Sequence, residues 1–343
     1  MVSKIMVRNM SVTILTIDGG GMKGIISAIV LMRLEKYLRQ YSKNDEAVLT
    51  DYFDIVAGTS TGSILTALLL CPDKIGKPKY RAEDALELYV SKGKDMFHKR
   101  TLYPIHTLFG LCKSKYTNQY FRKELEEYFH ELKISELLRP CMLVTYDMES
   151  RKTLFLNSIS SKKNPMRDIR VTDAVLASCS APTYFPPVCT KKDAHCKDCL
   201  IDGGVAANNP SMSALIEALK LPQAKTIQDT YLLSIGNAST YKSYSCEEAK
   251  GWGIAEFALP LLTIFMETSE EIVDYQLRKL YDCYHVSSHY LRIEAITKAN
   301  IPAMDDTSKD AIQTLIEMGN QLADREELSL RHFAKQLVER KQI

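Results

Sequence analysis

The stretch Ser11-Val-Thr-Ile-Leu-Thr-Ile17, followed at once by Asp18-Gly-Gly-Gly-Met-Lys-Gly24, decides the fold. Val12, Thr13, Ile14, Thr16 and Ile17 are β-branched and favour an extended strand. The glycines turn the chain. Met22 to Tyr41 then carries Ile25, Ile29, Met32 and Leu38 at helical spacing. The pattern recurs: Tyr52 to Ala57 reads as a strand, Gly58 to Gly62 as a turn and Ser63 to Cys71 as a buried helix. Two such units in succession predict an α/β fold with a largely parallel sheet.

Further along, helices are expected at Ala82 to Lys94 and Asn118 to Leu132. Adjacent strands are expected at Cys141 to Tyr146 and Lys152 to Leu156. Thr172 reads as the cap of a helix ending near Pro182, and Ser211 as the cap of one running to Lys220. Leu200-Ile201, Tyr231 to Ile235 and Tyr290 to Ile293 read as strands. Trp252 to Leu280 reads as a helix broken at Pro260, and Thr307 to Leu337 as the closing helix. With no repeat, low-complexity tract or linker, residues 1–11 are expected to form a tail and residues 12–343 one catalytic domain.

Composition narrows the function. Lys plus Arg number 44 and Asp plus Glu 42, a net charge of +2, which argues against a nucleic-acid partner. Nine scattered cysteines and an N-terminus without an apolar leader read as a reduced, cytoplasmic protein. No stretch approaches the roughly 18 apolar residues of a membrane span, so any membrane contact is peripheral.

Three constellations carry chemistry. Gly58-Thr-Ser-Thr-Gly62 is a G-x-S-x-G pattern between a strand and a helix. A nucleophile on so sharp a turn needs neighbours without a Cβ two positions away on each side, and the helix start behind Ser60 offers free N–H groups. The plainer reading of Ser60 is a helix cap. In Asp18 to Gly24 the triple glycine makes a concave set of N–H groups suited to an anion. Gly19, Gly21 and Gly24 also fit G-x-G-x-x-G, but Asp45 and Glu46, where a ribose-binding acid would fall, follow no strand. Asp202-Gly-Gly204 ends a short strand and places a carboxylate at the sheet's edge, where a plain β-turn is the alternative.

Together DGGGMKG, GTSTG and DGG, in this order, resemble the patatin-like phospholipase family. Ser178 to Pro186, Leu233 to Gly236 and Tyr290 to Ile293 are similar to its smaller blocks, and the likeness spans Val12 to Ile296, with Cys189 to Cys199 as a possible insertion. The resemblance implies a three-layer α/β/α fold with a central, mostly parallel sheet. It also implies a Ser-Asp dyad: Ser60 as nucleophile, Asp202 as base, and the backbone of Gly19, Gly20 and Gly21 as oxyanion hole. Gly58, Gly62, Gly203 and Lys23 support these. The implied substrates are acyl esters of phospholipids, lysophospholipids or neutral glycerolipids, with no cofactor and no metal. A form activated by a small nucleotide or a partner protein would carry the same motifs.

Two further groups of residues carry a chemical reading. His195, Cys196 and Cys199, with Cys189, could be zinc ligands, but a single C-x-x-C favours a reduced loop. Phe257, Leu261, Leu262, Phe265 and Met266 are candidates to line an acyl tunnel, although helical apolar stripes more often face the core. The competing functions are an acyltransferase or thioesterase on the same serine, and a catalytically silent lipid-binding protein.

Overall fold

The computed structural model describes residues 11–98, 114–191, 197–240, 244–297 and 300–341. Its strands are β1 (Val12–Ile17), β2 (Ile55–Thr59), β3 (Cys141–Asp147), β4 (Lys152–Asn157), β5 (Val188–Lys191), β6 (Lys197–Asp202), β7 (Thr230–Thr240) and β8 (Tyr290–Thr297). Helices of eight residues or more are α1 (Gly24–Ser42), α2 (Thr61–Leu70), α3 (Ala82–Met96), α4 (Asn118–Phe129), α5 (Val171–Ser178), α6 (Ser211–Ala218), α7 (Ile254–Cys283), α8 (Lys309–Arg325) and α9 (Glu327–Lys341).

The heart of the sheet runs β3-β2-β1-β7-β8, all parallel. Alternation along each strand divides its side chains between two faces. Leu15, Ile17, Val56, Leu143, Leu233 and Ile235 pack on one side against α1, α2, α5, α8 and α9. Val12, Ile14, Ala57, Val144 and Leu232 pack on the other against α6 and the C-terminal part of α7. The result is helix, sheet, helix. Every residue of α2 is buried, as expected of a helix apolar on all sides and ending in the core.

At one end the sheet turns antiparallel. β4 pairs with one edge of β3 over Met142–Asp147, so β2 and β6 share the other edge. β2 covers its first half, with Thr59 opposite Val144. β6 runs in from the opposite direction, with Asp202 opposite Thr145. The two strands meet end to end.

Several expectations need correction. Thr172 is not a cap: α5 starts at Val171 after Arg170, and Thr172 is buried. Ser211 is the first residue of α6 rather than its cap; its hydroxyl is spent on tertiary bonds to Thr16 Oγ1 at 2.6 Å and Ser234 Oγ at 2.8 Å. Pro260 lies inside a continuous helix, where one lost backbone bond in the second turn is outweighed by burial of Leu277 and Tyr281 further along. The C-terminal helix is two helices that part at Glu326. Cys189 and Cys199 lie opposite each other in the β5–β6 hairpin, not in a loop, and both are free thiols. His195 and Cys196 fall outside the described residues, among which no His/Cys/Asp/Glu group could hold a metal ion.

Candidate active site

Ser60 sits between β2 and α2 with φ 52° and ψ −121°, a conformation that residues with a Cβ rarely adopt. Two close approaches make the turn possible. A Cβ on Gly58 would lie 2.1 Å from the Gly62 carbonyl oxygen, and one on Gly62 would lie 2.0 Å from the Ile17 carbonyl oxygen. Bonds on both sides fix the residue. Its N–H donates to Ser178 Oγ at 2.9 Å, and Ser178 donates in turn to the Val144 carbonyl at 2.6 Å. Its carbonyl accepts from Ser63 Oγ at 2.6 Å. The strained geometry is therefore over-determined by its surroundings, as expected of a functional turn.

The Ser60 hydroxyl donates to Asp202 Oδ2 at 2.6 Å. The other carboxylate oxygen of Asp202 accepts from the Gly204 N–H at 2.7 Å. Gly203 allows that turn, since a Cβ there would lie 2.3 Å from the Val144 carbonyl oxygen. Burial pushes the Asp202 carboxyl up to about 6, although its bonds from Ser60 and Gly204 favour the ionised form. Cys179 lies close by, 3.7 Å from Ser63 Oγ, but burial and the neighbouring Asp202 charge hold it as a thiol.

The glycine loop after β1 runs beside Ser60. A Cβ on Gly19 would come within 3.0 Å of the Ser60 Cβ. The Gly19 carbonyl accepts from Asn237 Nδ2 at 2.6 Å and from Asn208 Nδ2 at 3.3 Å. A planar trans peptide then turns the Gly20 N–H the opposite way. Gly21 has φ 60°, and Met304 closes over it: the Met304 carbonyl accepts from the Met22 N–H at 2.8 Å. The Gly19 N–H itself donates to the Asn208 carbonyl at 3.3 Å.

Behind the loop lies a buried charged cluster. Arg292 Nη2 is 2.6 Å from Asp18 Oδ2 and 3.2 Å from Glu294 Oε2, and its Nη1 donates to Ser234 Oγ at 2.9 Å. Asn208 Nδ2 also bonds Glu270. Burial pushes Asp18 up to about 6 and Glu270 up to about 8, against the lowering effect of Arg292. Lys23 donates to the Ala238 carbonyl at 3.1 Å, with its pKa lowered by burial.

Two cavities meet at Met304 and Tyr184. One, of about 30 Å³, is apolar and lined by Ser60, Ile64, Tyr89, Phe97, Phe121 and Phe185. The other, of about 280 Å³, lies against Gly19, Gly20, Lys23, Glu267 and Glu270. The apolar cavity at Ser60 is built from α2, α3, α4 and the segment after α5, and none of the described α7 residues named as candidates for a tunnel is among those lining it. Leu261 and Phe265 are exposed, Phe257 stacks edge-on with Trp252, and only Met266 of that group reaches a cavity, the polar one. The side chain of Leu262 lies outside the described residues.

The structure places Ser60, Asp202 and the glycines read from the sequence side by side. Sequence reading did not find Ser178, Asn208, Asn237 or Arg292. The SCSAPTYFP and YLRI blocks held two of them without giving them a role.

The family model for patatin-like phospholipase matches residues 15–215. "Patatin-like protein 4" of Arabidopsis thaliana is 31% identical, covering 91% of this chain and 83% of its own length. "Probable inactive patatin-3-Kuras 1" of Solanum tuberosum is also 31% identical, over 97% of this chain and 94% of its own. Among solved structures, VipD from Legionella pneumophila matches with a TM-score of 0.41 and 13% identity, over 92% of this chain and 67% of that one. The chain belongs to the patatin-like phospholipase family.

Proposed function

We propose that this protein is a lipid acyl hydrolase of the phospholipase A or lysophospholipase type, acting through a Ser60–Asp202 dyad. The observation that carries the reading is the 2.6 Å bond from the Ser60 hydroxyl to a buried carboxylate that has no histidine between. Family membership supports lipid hydrolysis in general.

Asp202 takes the Ser60 proton as the oxygen attacks the ester carbonyl. The Gly20 and Gly21 N–H groups hold the negative charge that forms on the carbonyl oxygen; Gly19 contributes less, since its N–H is drawn to Asn208. Asp202 returns the proton to the departing alcohol, leaving an acyl-enzyme on Ser60. A water then gives its proton to Asp202 as it attacks the acyl carbon, and Asp202 passes that proton to the Ser60 oxygen as the ester bond breaks and the fatty acid leaves. The apolar and aromatic lining of the pocket beside Ser60 suits an acyl chain. A bound cofactor or metal has no step to perform in this sequence. Lipid substrate presented at a bilayer or micelle surface implies peripheral contact there; among the described residues no helix is long and apolar enough to cross a membrane.

Fatty acid release from phospholipid and lysophospholipid micelles tests the reading. Ser60→Ala and Asp202→Asn should each lower kcat by about 10³-fold or more, and the double variant should be no worse than the weaker single one. Equal release by wild type and both single variants would remove the dyad. Transfer of the acyl group to an added thiol or alcohol, with little free fatty acid formed, would favour the acyltransferase reading.

A further inference from the structure

We propose that the cavity behind the Gly19–Gly20 loop is a subsite for a cationic amine, so that the preferred substrate is a lipid whose head carries a primary ammonium. The inference deepens the function proposed above, because the subsite would hold the leaving portion of that same substrate.

Position is the first argument. The cavity shares Met304 and Tyr184 with the apolar pocket at Ser60, and the glycine loop forms its wall. A lipid with its ester at Ser60 and its acyl chain in the apolar pocket has this adjoining volume open to its head. At about 280 Å³ that volume holds a small polar group and little more.

Charge is the second. Lys23 and Arg292 are the cations of this region, whereas Asp18, Glu267, Glu270 and Glu294 are its carboxylates. Arg292 contacts three of the four and has no further reach, and Glu270 lies 3.9 Å from it, at the edge of an ion pair. Glu267 and Glu270 face the cavity itself. The surplus is negative, in a place where water screens poorly.

Hydrogen-bond polarity is the third. Asn208 is 1% exposed and lines the cavity, and its Oδ1 is a buried acceptor without a partner. That oxygen packs between Gly19 and Gly204, and the acceptors open to the cavity are the two carboxylates. A primary ammonium offers three donors and one positive charge. Burial and crowding of like charges raise both Glu267 and Glu270, so an arriving cation would also relieve their protonation. Lys23 also lines the cavity, where its charge interacts with Glu267 and Glu270 and leaves two carboxylates to one lysine.

Binding can be read without catalysis. The full-length Ser60→Ala protein would be titrated with glycerophosphoethanolamine and with glycerophosphoglycerol, followed by calorimetry or by chemical-shift changes. The ethanolamine compound should bind about tenfold tighter, the scale of one hydrogen bond to a charged group. Glu267→Gln, on the half-buried rim, should bring the two affinities to within about twofold of each other. Glu270→Gln should do the same, with circular dichroism to establish its fold. Equal binding of the two compounds by the parent protein, or a preference unmoved by Glu267→Gln, would overturn the proposal. If the preference holds but wild type releases no fatty acid, the subsite stands and the hydrolase reading fails. If fatty acid is released without the preference, the reverse is true.

Discussion

Thr59 and Asp202 pair with consecutive residues of one strand edge, Val144 and Thr145, but reach them from opposite directions. A parallel strand and an antiparallel one therefore end face to face on β3. Ser60 follows the first and Asp202 terminates the second, so sheet register alone brings hydroxyl and carboxylate within bonding distance. Neither depends on a mobile loop for its place. Ser178, bonded to both the Ser60 N–H and the Val144 carbonyl, ties the junction to α5.

That placement sets the pH response. Asp202 must be ionised to take the proton, and burial pushes it up to about 6. Activity, measured as kcat/KM against pH, should rise about tenfold per unit below that value and level off above it. Stability should move the other way. In the unfolded chain the carboxyl ionises near the ordinary ~3.9, so the folded state holds the proton more tightly. The penalty is absent below that value, builds as pH rises and is complete above about 6. Asp202→Asn should accordingly raise Tm at pH 8 and change it little at pH 4, while abolishing activity at both. An unchanged Tm at pH 8 would mean that Asp202 is no more costly folded than unfolded.

The apolar pocket sets chain length. Ile64 is buried and faces the same space as Ser60 and Phe121. Ile64→Phe should shorten the accepted chain. The ratio of hexadecanoyl to octanoyl ester hydrolysis should fall about tenfold or more, the scale of a few methylenes excluded from an apolar site. A ratio is the right readout, because overpacking lowers stability by about 1–3 kcal/mol without changing selectivity in the molecules that fold. An unmoved ratio would place the acyl chain elsewhere.

What the sequence disclosed and what it concealed divide along a physical line. Ser60 and Asp202 were legible because their turns demand glycine, and glycine at fixed offsets is a local signal. The two opening strand–turn–helix units were legible for the same reason. The hairpin of β5 and β6 was not, because its pairing with β3 joins residues more than fifty apart and its sequence, rich in Lys, Asp and Cys, has weak strand character. Asn208 and Asn237 were not, since an asparagine two residues before Pro210 or directly after LSIG reads as a turn residue until the Gly19 carbonyl is seen against it. Pro260 misled because the cost of a proline is local and the packing that overrides it is not.

Asn237 gives a test of the glycine loop. It holds the Gly19 carbonyl at 2.6 Å and is itself held by Ser27 Oγ at 2.8 Å, so it is a positioning residue for the Gly20 N–H on the other side of that peptide. Asn237→Ala should lower kcat by about 10–100-fold, somewhat less than removal of an oxyanion donor outright. KM should stay within about threefold, because the group acts on the transition state rather than on substrate binding. A variant that lost Tm but kept the kcat of its folded fraction would reduce Asn237 to a structural role.

Arg292 carries the heaviest structural burden of the site. Its guanidinium is 3% exposed and is the cation against Asp18, Glu270 and Glu294. Arg292→Met would leave three carboxylates facing one another in a space closed to water, a loss on the order of 3–5 kcal/mol. The loss should depend on pH in a defined direction. Without Arg292 the carboxyls are pushed above the values of about 6 and about 8 that Asp18 and Glu270 already show. They can escape repulsion only by taking up protons, which acid supplies. The Tm deficit of Arg292→Met should therefore be largest at pH 8 and shrink by pH 5, and Arg292→Lys should recover part of it through charge without the forked contacts to Ser234 and Glu294. Thermal melts across that pH range decide the matter. A deficit independent of pH would mean that Arg292 stabilises the fold by packing, and that the carboxylates around it are held neutral by other means.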